Sequence, residues 1–452
     1  MKIIIAGSGK VGQTLAKQLS AEGHDLTIID KDNTAVETAV ERFDAMAVAG
    51  NCASGAVLAQ AGIRDAELLI AATGEDELNL LCCMTAHGMN PKLHTIARIR
   101  TPEYAQQVLT MPHVFPLSFT VNPERQAAIE VERLLKYPGF LRRDTFAKGR
   151  TELVELRIEE DSPLKDIPLS DLRNVTKCRV LVCAVVRAGE AVAPSGNFVL
   201  RQGDRIYVTA PTATLALLLK NLGILTRRVR KVLICGGGRV SFYLAQLLSE
   251  EGLDVTVLDK NHARCIELAG LLPKVSVIHG DCSSQTVLES QGISKCDAVI
   301  ASTGIDETNM IISLYANKKG IPQVITKVSR GVSSTIADSL NLGSVICPKE
   351  LCCNDIVRYV RAMHCKTGAA VTVHTIADGQ AEAVEFLLDS ATKYCGTPLK
   401  QLKLKPNVLI AGIAHGADTE LPTGDSVFSE GDTVVVVTSG RGKLQQFNDI
   451  FA

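Results

Sequence analysis

One long unit occurs twice in this chain, and that internal repeat constrains the fold more than any other feature. Residues 2–12 (KIIIAGSGKVG) recur at 231–241 (KVLICGGGRVS), and residues 22–31 (EGHDLTIIDK) recur at 251–260 (EGLDVTVLDK). The period is far too long for the stacked repeats of a solenoid. The chain is therefore predicted to be a tandem duplication of a complete unit.

Each copy of the unit consists of a larger module followed by a smaller one. A Pro-x-Gly…Gly-Asp pattern within 192–204 reappears within 421–432, well after the segments that open each half. Four domains in two equivalent pairs are therefore expected. The predicted boundaries are 1–122 and 228–350 for the larger modules, 123–142 and 351–366 for the connecting helices, and 143–227 and 367–452 for the smaller modules.

Composition limits the class of partner and the class of site. Lys plus Arg is 48 and Asp plus Glu is 49, so no field of one sign favours nucleic acid or a membrane surface as the main partner. No apolar stretch approaches the roughly 18–20 residues of a membrane span, and a cytosolic chain is expected. The 14 cysteines show no C-x-x-C spacing, which favours reduced structural thiols over a metal or redox site.

Apolar runs of strand length alternate with amphipathic segments of helix length in each larger module. This alternation predicts an α/β fold, a Rossmann-like, doubly wound parallel sheet with helices on both faces. In the first copy, strands are expected at 2–6, 25–29, 45–49, 68–72, 93–98 and 114–117, and helices at 11–22, 35–42, 54–61 and 77–87.

The smaller modules have a different pattern, which predicts a compact α+β lobe. In the first of them, strands are expected at 152–158, 180–187 and 205–208. Residues 142–150 and the basic segment 227–231 are expected to be exposed connections. Helices at 123–135 and 354–364, apolar at helical spacing, are expected to connect large to small modules and to pack partly between lobes and partly as ordinary core.

The loop at residues 7–12 follows a strand and opens a helix, the context required of a dinucleotide-binding fingerprint. Gly7 permits a tight turn, Gly9 lets the backbone approach a pyrophosphate, and Gly12 lets the helix pack closely on the strand. Asp30 ends the second strand, where a carboxylate accepts ribose hydroxyls and repels a 2′-phosphate. NAD-like ligands are thus favoured over NADP-like ones, the alternative being a tight turn followed by a solvated acid.

A second loop at 236–241 repeats the first, with Asp259 in the place of Asp30. Ser241 stands where the first loop has its third glycine, so the second site is expected to bind nucleotide with a different affinity or a different ligand. Ser241 is still small enough for close packing of the helix.

Further candidate residues follow the fourth and fifth strands of each larger module. Thr73-Gly74 and Thr303-Gly304 either line the nucleotide or form glycine turns that start a helix. Arg98 and Lys327 are basic residues at matching places; they either neutralise phosphate or are ordinary exposed cations after a strand.

Motifs of reactive sites are absent from the sequence. It contains no G-x-S-x-G elbow, no P-loop and no H-E-x-x-H, and its nine histidines fall mostly at non-equivalent places in the two halves. A duplicated enzyme would be expected to keep an acid or base in register. The sequence therefore favours nucleotide sensing over catalysis, and no catalytic residue is assigned.

With its two glycine loops, the Thr-Gly-x-Asp-Glu motifs and the Pro-x-Gly…Gly-Asp signatures, the full chain resembles the regulator-of-potassium-conductance (RCK) family. The resemblance implies nucleotide-binding N-terminal domains, each followed by a smaller C-terminal domain. NAD or NADH is the implied ligand, with ATP or ADP for some members. In the first half, the implied nucleotide contacts are Gly7, Ser8, Gly9, Lys10, Val11, Asp30, Thr73, Gly74 and Arg98, to which Gly12 of the same loop is added. In the second half they are Gly236, Gly237, Gly238, Arg239, Val240, Asp259, Thr303, Gly304 and Lys327.

The resemblance also implies a partner and a place in the cell. The partner is a membrane-embedded potassium transporter subunit, beneath which the chain assembles as a homo-oligomeric ring, a tetramer, attached peripherally to the cytoplasmic face of the inner membrane. Nucleotide binding would bias two arrangements of the lobes and so gate the transporter. The alternatives are a soluble NAD-dependent oxidoreductase and a similar sensor that serves a potassium/proton antiporter.

Overall fold

The structure is a computed structural model that describes residues 1–43, 45–136, 140–224, 229–329, 340, 342–364, 370–416, 418–439, 444 and 446–452. Within these residues, two six-stranded and two five-stranded sheets alternate in chain order. The chain divides into two compact units, residues 1–128 with 347–360 and residues 129–346 with 361–452. Within the described ranges, no helix combines the length and the apolar character that a membrane span requires.

The first larger module is a parallel sheet with strand order β3-β2-β1-β4-β5-β6. All four residues of Leu68–Ala71 in its centre are buried, as expected of a strand covered on both faces. The elements are β1 Lys2–Ala6, α1 Lys10–Ala21, β2 Asp25–Asp30, α2 Asn33–Phe43, β3 Met46–Ala49, α3 Gly55–Gln60, β4 Leu68–Ala71, α4 Asp76–Met89, β5 His94–Arg98, α5 Pro102–Thr110, β6 Phe119–Val121 and α6 Pro123–Lys136.

The doubly wound fold is confirmed, but the end of the first module differs from the prediction. The sixth strand is β6, not 114–117, because Pro116 lies in that run and cannot donate a ladder hydrogen bond. Helix α5 was not predicted, although Pro102 occupies its first turn, where the missing N–H costs nothing.

The first smaller module is an antiparallel sheet with strand order β10-β9-β11-β8-β7. Its elements are β7 Arg142–Phe146, β8 Thr151–Arg157, α7 Leu172–Thr176, β9 Leu181–Arg187, β10 Glu190–Val192, β11 Arg205–Pro211 and α8 Thr212–Asn221.

The prediction of an exposed connection at 142–150 was wrong, since these residues begin with strand β7. The charged residues of this strand have buried partners in place of solvent. Arg143 Nη2 donates to Glu152 Oε1 on β8 at 2.6 Å, and Arg142 Nε lies 2.8 Å from Asp144 Oδ2. Residues 227–228 of the predicted basic connection, and the predicted boundaries at 227–228 and 366–367, lie outside the described residues.

The second half repeats both sheets. The strand orders are β14-β13-β12-β15-β16-β17 and β18-β19-β22-β20-β21. The elements are β12 Lys231–Cys235, α9 Arg239–Glu250, β13 Asp254–Asp259, α10 His262–Leu271, β14 Ser276–His279, α11 Gln285–Ser290, β15 Ala298–Ala301, α12 Asp306–Lys318, β16 Gln323–Lys327, β17 Ser344–Ile346, α13 Pro348–His364, β18 Ala370–Ile376, β19 Ala381–Leu387, β20 Val408–His415, β21 Asp418–Glu420 and β22 Thr433–Ser439.

Within the second unit, the two antiparallel sheets share one hydrophobic core. Phe146 and Tyr207 from the first sheet and Ile376 and Val435 from the second are all buried in it. The two smaller modules therefore stabilise each other as a pair.

The connecting helices pack against the larger module of the opposite half. In the first unit, Tyr359 of α13 stacks on Phe119 with ring centroids 5.1 Å apart, and Cys353 Sγ lies 3.7 Å from the Val11 carbonyl oxygen. In the second unit, Gln323 Nε2 donates to the Leu134 carbonyl oxygen of α6 at 2.8 Å. The two halves are thereby intertwined along the chain.

Candidate nucleotide-binding sites

The first glycine loop is shaped by two positions that exclude a side chain. Gly7 has φ +103°, and a Cβ there would lie 3.0 Å from Thr73 Cα. A Cβ on Gly12 would lie 1.9 Å from the Gly7 carbonyl oxygen. Both positions therefore require glycine, and α1 packs directly on the loop that precedes it.

Gly9 has the opposite environment, because a Cβ built on it would meet no protein atom within 4 Å. Gly9 is the N-cap of α1, with extended backbone angles, and Lys10 beside it is exposed. As in any helix, the first N–H groups of α1 have no acceptor within the helix, and the dipole favours an anion there. The loop thus leaves open space at the N-terminus of α1, where an anion such as a pyrophosphate would be favoured.

Asp30 is held against this loop by backbone amides. Its Oδ2 accepts from Ser8 N–H at 2.5 Å, and its Oδ1 accepts from Asp32 N–H at 3.0 Å. Each carboxylate oxygen can accept more than one hydrogen bond, so the group remains able to accept ribose hydroxyls. The position is the end of a parallel strand next to the strand that carries the loop, where such folds bind the ribose.

The second site has the same arrangement. Asp259 Oδ2 accepts from Gly237 N–H at 2.6 Å, and its Oδ1 accepts from Asn261 N–H at 2.7 Å. A Cβ on Gly238 would meet no atom within 4 Å, as at Gly9. Ser241 is completely buried, which agrees with the expected close packing, but its hydroxyl has no hydrogen-bond partner among the described residues.

Two further residues of the second loop complete its shape. A Cβ on Gly236, at φ +105°, would lie 2.7 Å from the Ser302 carbonyl oxygen, and one on Gly237 would lie 2.8 Å from Leu268 Cδ1. Arg239 is exposed at the start of α9, whereas Val240 is buried. The second loop therefore offers one exposed cation beside its open glycine, as the first loop does.

A buried asparagine organises the other half of each site, and the sequence analysis did not assign it a role. Asn79 Oδ1 accepts from both the N–H and the hydroxyl of Thr73, at 2.8 and 2.7 Å, and its amide donates to the Arg98 carbonyl oxygen at 2.9 Å. Asn309 joins Thr303 to Lys327 with the same three distances. The signal was present in the repeat, since both asparagines lie six residues after their threonine.

Arg98 supplies a cation whose hydrogen bonding is incomplete. Its Nη2 donates to the Thr73 carbonyl oxygen, while its buried Nε has no partner among the described residues. Burial, followed by the neighbouring Arg100, lowers the pKa of Arg98. An anion bound here would supply the missing acceptor and offset the cost of burying the charge, so these residues fit a nucleotide phosphate. In the second site, Lys327 Nζ instead donates to the Ser302 carbonyl oxygen at 3.3 Å.

Asp76, which follows the turn at Thr73 and Gly74, accepts hydrogen bonds from the residues just after β5. Its Oδ2 accepts from Thr101 N–H and hydroxyl, both at 2.8 Å, and from Arg100 N–H at 2.9 Å. Burial raises the pKa of this carboxyl, but the hydrogen bonds from Thr101 and Arg100 outweigh it and hold the pKa below its ordinary value. Arg100 Nη2 also donates to the Gly74 carbonyl oxygen, so the turn next to the site is held from both sides.

Cysteines near the sites are packing residues by their burial. In the described part of the chain the cysteines are free thiols, and of these only Cys395 is exposed. Burial raises the pKa of Cys83, which lies on α4. It also raises the pKa of Cys353, to about 12. Within the same residues, no group of three or more metal-binding side chains comes together.

Comparison with known proteins identifies all four modules. The TrkA-N domain family model matches residues 3–114 and 232–348, and the TrkA-C domain model matches 153–223 and 383–452. The chain is 30% identical to the Trk system potassium uptake protein TrkA homolog 1 of Methanosarcina mazei, covering 99% of this chain and 100% of that one. It is 29% identical to the Trk system potassium uptake protein TrkA of Halomonas elongata, covering 100% and 98%.

Solved structures share the fold. The crystal structure of the GsuK RCK domain matches with TM-score 0.61 at 16% identity, covering 97% of this chain and 92% of that one. The GsuK channel bound to NAD matches with TM-score 0.60 at 17% identity, covering 97% and 76%. At these identities the likeness concerns the fold.

Proposed function

The chain belongs to the TrkA family, and from that premise we propose that it is the nucleotide-sensing regulatory subunit of a potassium-uptake system. It binds NAD(H), ATP or ADP and gates a membrane-embedded transporter subunit of the TrkH/TrkG kind. The relatives named for potassium uptake match it over essentially their full length. The observation that carries nucleotide binding is the pairing, in both halves, of an open glycine at a helix N-terminus with an aspartate held by the same loop.

The described part of the site supports a ligand that carries adenosine diphosphate. The loop takes a pyrophosphate, Arg98 neutralises phosphate charge, and Asp30 accepts the ribose hydroxyls while repelling a 2′-phosphate. NAD, NADH, ATP and ADP all carry the adenosine diphosphate that these groups contact. The groups bind and orient the ligand, and the protein is a sensor, not an enzyme.

Gating follows from the packing of α13 on the first larger module. Cys353 contacts the carbonyl of Val11, which lies in the first turn of α1, the turn that a bound phosphate would contact. A ligand that shifts this turn therefore acts on a helix that leads into the smaller modules. Nucleotide changes the population of the two arrangements only to the extent that it binds one more tightly than the other.

Assembly and location complete the proposal. The chain acts as a homo-oligomer, a tetramer, in which duplication doubles the number of lobes per chain. It attaches to the cytoplasmic face of the inner membrane through the transporter subunit and binds no nucleic acid. The family membership supports this arrangement.

Two matched variants test the proposal. Gly9→Asp and Gly238→Asp each place a carboxylate where the phosphate would lie, and both positions have room for a side chain. Binding of NADH and ADP to the full chain is measured by calorimetry, and potassium uptake is measured in cells that depend on this chain. Each variant is expected to lose binding at its own site and to change the nucleotide response of uptake.

Isolation of the tagged chain from gently solubilised membranes supplies the partner. Recovery of a multi-span potassium transporter is the expected result, whereas recovery of an antiporter instead would contradict the proposed partner. Unchanged NADH and ADP binding in a chain that carries both Gly9→Asp and Gly238→Asp would contradict the assigned sites. Turnover of NADH with a metabolite would contradict the sensor role.

A further inference from the structure

The two nucleotide sites differ at the residue that lies beside the ribose carboxylate. Strands β13 and β14 are parallel and place Asp259 in register with His279. In the first site the corresponding strands place Asp30 in register with Ala49. Residues in register on adjacent parallel strands point to the same face of the sheet, so an imidazole flanks one carboxylate and a methyl group the other.

A second imidazole accompanies the first. His262, the first residue of α10, lies edge-to-face with His279, with ring centroids 5.2 Å apart and planes at 75°. The first site has Asn33 at this place, the first residue of α2. His279 Nε2 also lies 3.0 Å from the Lys260 carbonyl oxygen, which fixes the orientation of its ring. Both histidines are exposed, so the pair is not part of the core.

The strand order indicates which part of a bound nucleotide His262 and His279 would face. Along the sheet, β12 carries the glycine loop, β13 carries Asp259, and β14 carries His279. A nucleotide with its phosphates on the loop and its ribose on Asp259 extends its base in the same direction, toward the end of β14. Imidazole rings contact the face or edge of a purine favourably, whereas Ala49 and Asn33 offer no aromatic surface.

We propose that His262 and His279 form the base-contacting surface of the second site and make it more selective for adenine nucleotides than the first. This inference rests on the proposed function, since it assumes that phosphate and ribose bind as described there. The second site holds the purine ring against the imidazole pair, and the first site holds its ligand mainly by phosphate and ribose. The duplicated sites thereby respond to different features of the same nucleotide.

The test uses the full chain carrying Gly9→Asp, so that only the second site binds. Affinity for ADP is measured by calorimetry, and affinity for inorganic pyrophosphate, which has no base, is measured by competition. Joint replacement of His262→Ala and His279→Ala is expected to weaken ADP binding about tenfold while leaving pyrophosphate binding unchanged. His279→Phe, which keeps an aromatic ring, is expected to retain most of the ADP affinity.

The matched control introduces the pair into the other site. In a chain carrying Gly238→Asp, Asn33→His with Ala49→His is expected to strengthen ADP binding at the first site. Unchanged ADP affinity in the double alanine variant, or an equal loss for ADP and pyrophosphate, would overturn the inference and leave the proposed function intact. Failure of the Gly9→Asp chain to bind either ligand with its histidines present would overturn both.

Discussion

His374 Nδ1 lies 3.0 Å from Asp144 Oδ1, and the two residues occupy equivalent positions in the two halves. Each lies two residues before the end of the first strand of its antiparallel sheet, β18 and β7. The duplication has thus placed a base in one copy and an acid in the other where the two sheets meet. Two acids at these positions would repel each other, whereas the acid and the base can form a hydrogen bond.

Replacing Asp144 is expected to destabilise the protein in a pH-dependent way. Burial raises the pKa of Asp144, but Arg142 and His374 outweigh it and hold the pKa far below its ordinary value. A depressed pKa contributes stability that is present above about pH 4 and is lost as the pH falls toward the folded-state pKa. Asp144→Asn should therefore lower the free energy of unfolding by about 1 kcal/mol at pH 7, because it removes the carboxylate that the partly exposed Arg142 contacts.

Denaturant unfolding of the full chain at several pH values measures this effect. The difference from wild type should shrink below about pH 4, where the Asp144 carboxyl of the unfolded chain begins to be protonated while that of the folded chain stays ionised. Asp161→Asn, at an exposed acid, should leave the free energy unchanged at every pH. A difference for Asp144→Asn that did not depend on pH would contradict the electrostatic explanation.

The parts of the fold and of the candidate site that could be predicted from the sequence are those that depend on residues close together in the chain. The loop residues Gly7 and Gly12 and the carboxylate of Asp30 could be predicted, because strand, turn and helix signals are local. Strand β7 could not, since two of its charged residues, Arg143 and Asp144, pair with Glu152 on β8 and His374 on β18, which lie elsewhere in the sequence. Asn79 was visible in the repeat, but its role depends on a hydrogen bond to Arg98, 19 residues away.

The packing of each connecting helix on the opposite half could not be predicted from the sequence either, because it too depends on contacts between residues far apart in the chain. Apolar spacing in α13 shows that one face is buried but not against what. The stack of Tyr359 on Phe119 joins residues 240 positions apart, and an identical amphipathic pattern would serve a helix packed on its own module. In a duplicated chain, local pattern cannot distinguish the two.

Glu130 is expected to destabilise the protein at neutral pH. Burial, with a smaller contribution from Asp144, raises its pKa to about 7. A raised carboxyl pKa means that the stability linked to the protonated form is complete below about pH 4 and is lost as the pH rises through 7. Glu130→Gln should match wild type at pH 4 and be more stable by about 1 kcal/mol at pH 8.

The measurement is again unfolding by denaturant at the two pH values. Glu159→Gln, an exposed acid on the same chain, serves as the control and should change neither value. Loss of stability in Glu130→Gln at pH 8 would show that the charged carboxylate is favourably paired, contrary to this prediction.

The third position of each glycine loop should respond in opposite ways to alanine. Gly12→Ala places a Cβ 1.9 Å from the Gly7 carbonyl oxygen, so the first loop must distort and nucleotide binding there should be lost. Ser241→Ala removes a buried hydroxyl with no partner among the described residues, and should leave the second site intact and raise stability by about 1 kcal/mol. Calorimetry with ADP and thermal unfolding measure both; equal losses of binding would contradict the geometry.

A substitution of Tyr359 on α13 should affect the transmission of the nucleotide signal without affecting nucleotide binding. Its ring stacks on Phe119 of β6 with planes 8° apart, a contact away from the glycine loop. Tyr359→Ala removes the stack, worth about 1 kcal/mol, and loosens the helix from the module whose movement it should follow. Affinity for ADP should stay within about twofold of wild type, a change below about 0.5 kcal/mol, while the nucleotide dependence of potassium uptake is reduced.

The control variant Tyr359→Phe keeps the stack and should keep the nucleotide response of uptake. If ADP affinity and uptake response fell together in Tyr359→Ala, the contact would be part of the binding site and the proposed route from the first loop through α13 would be wrong.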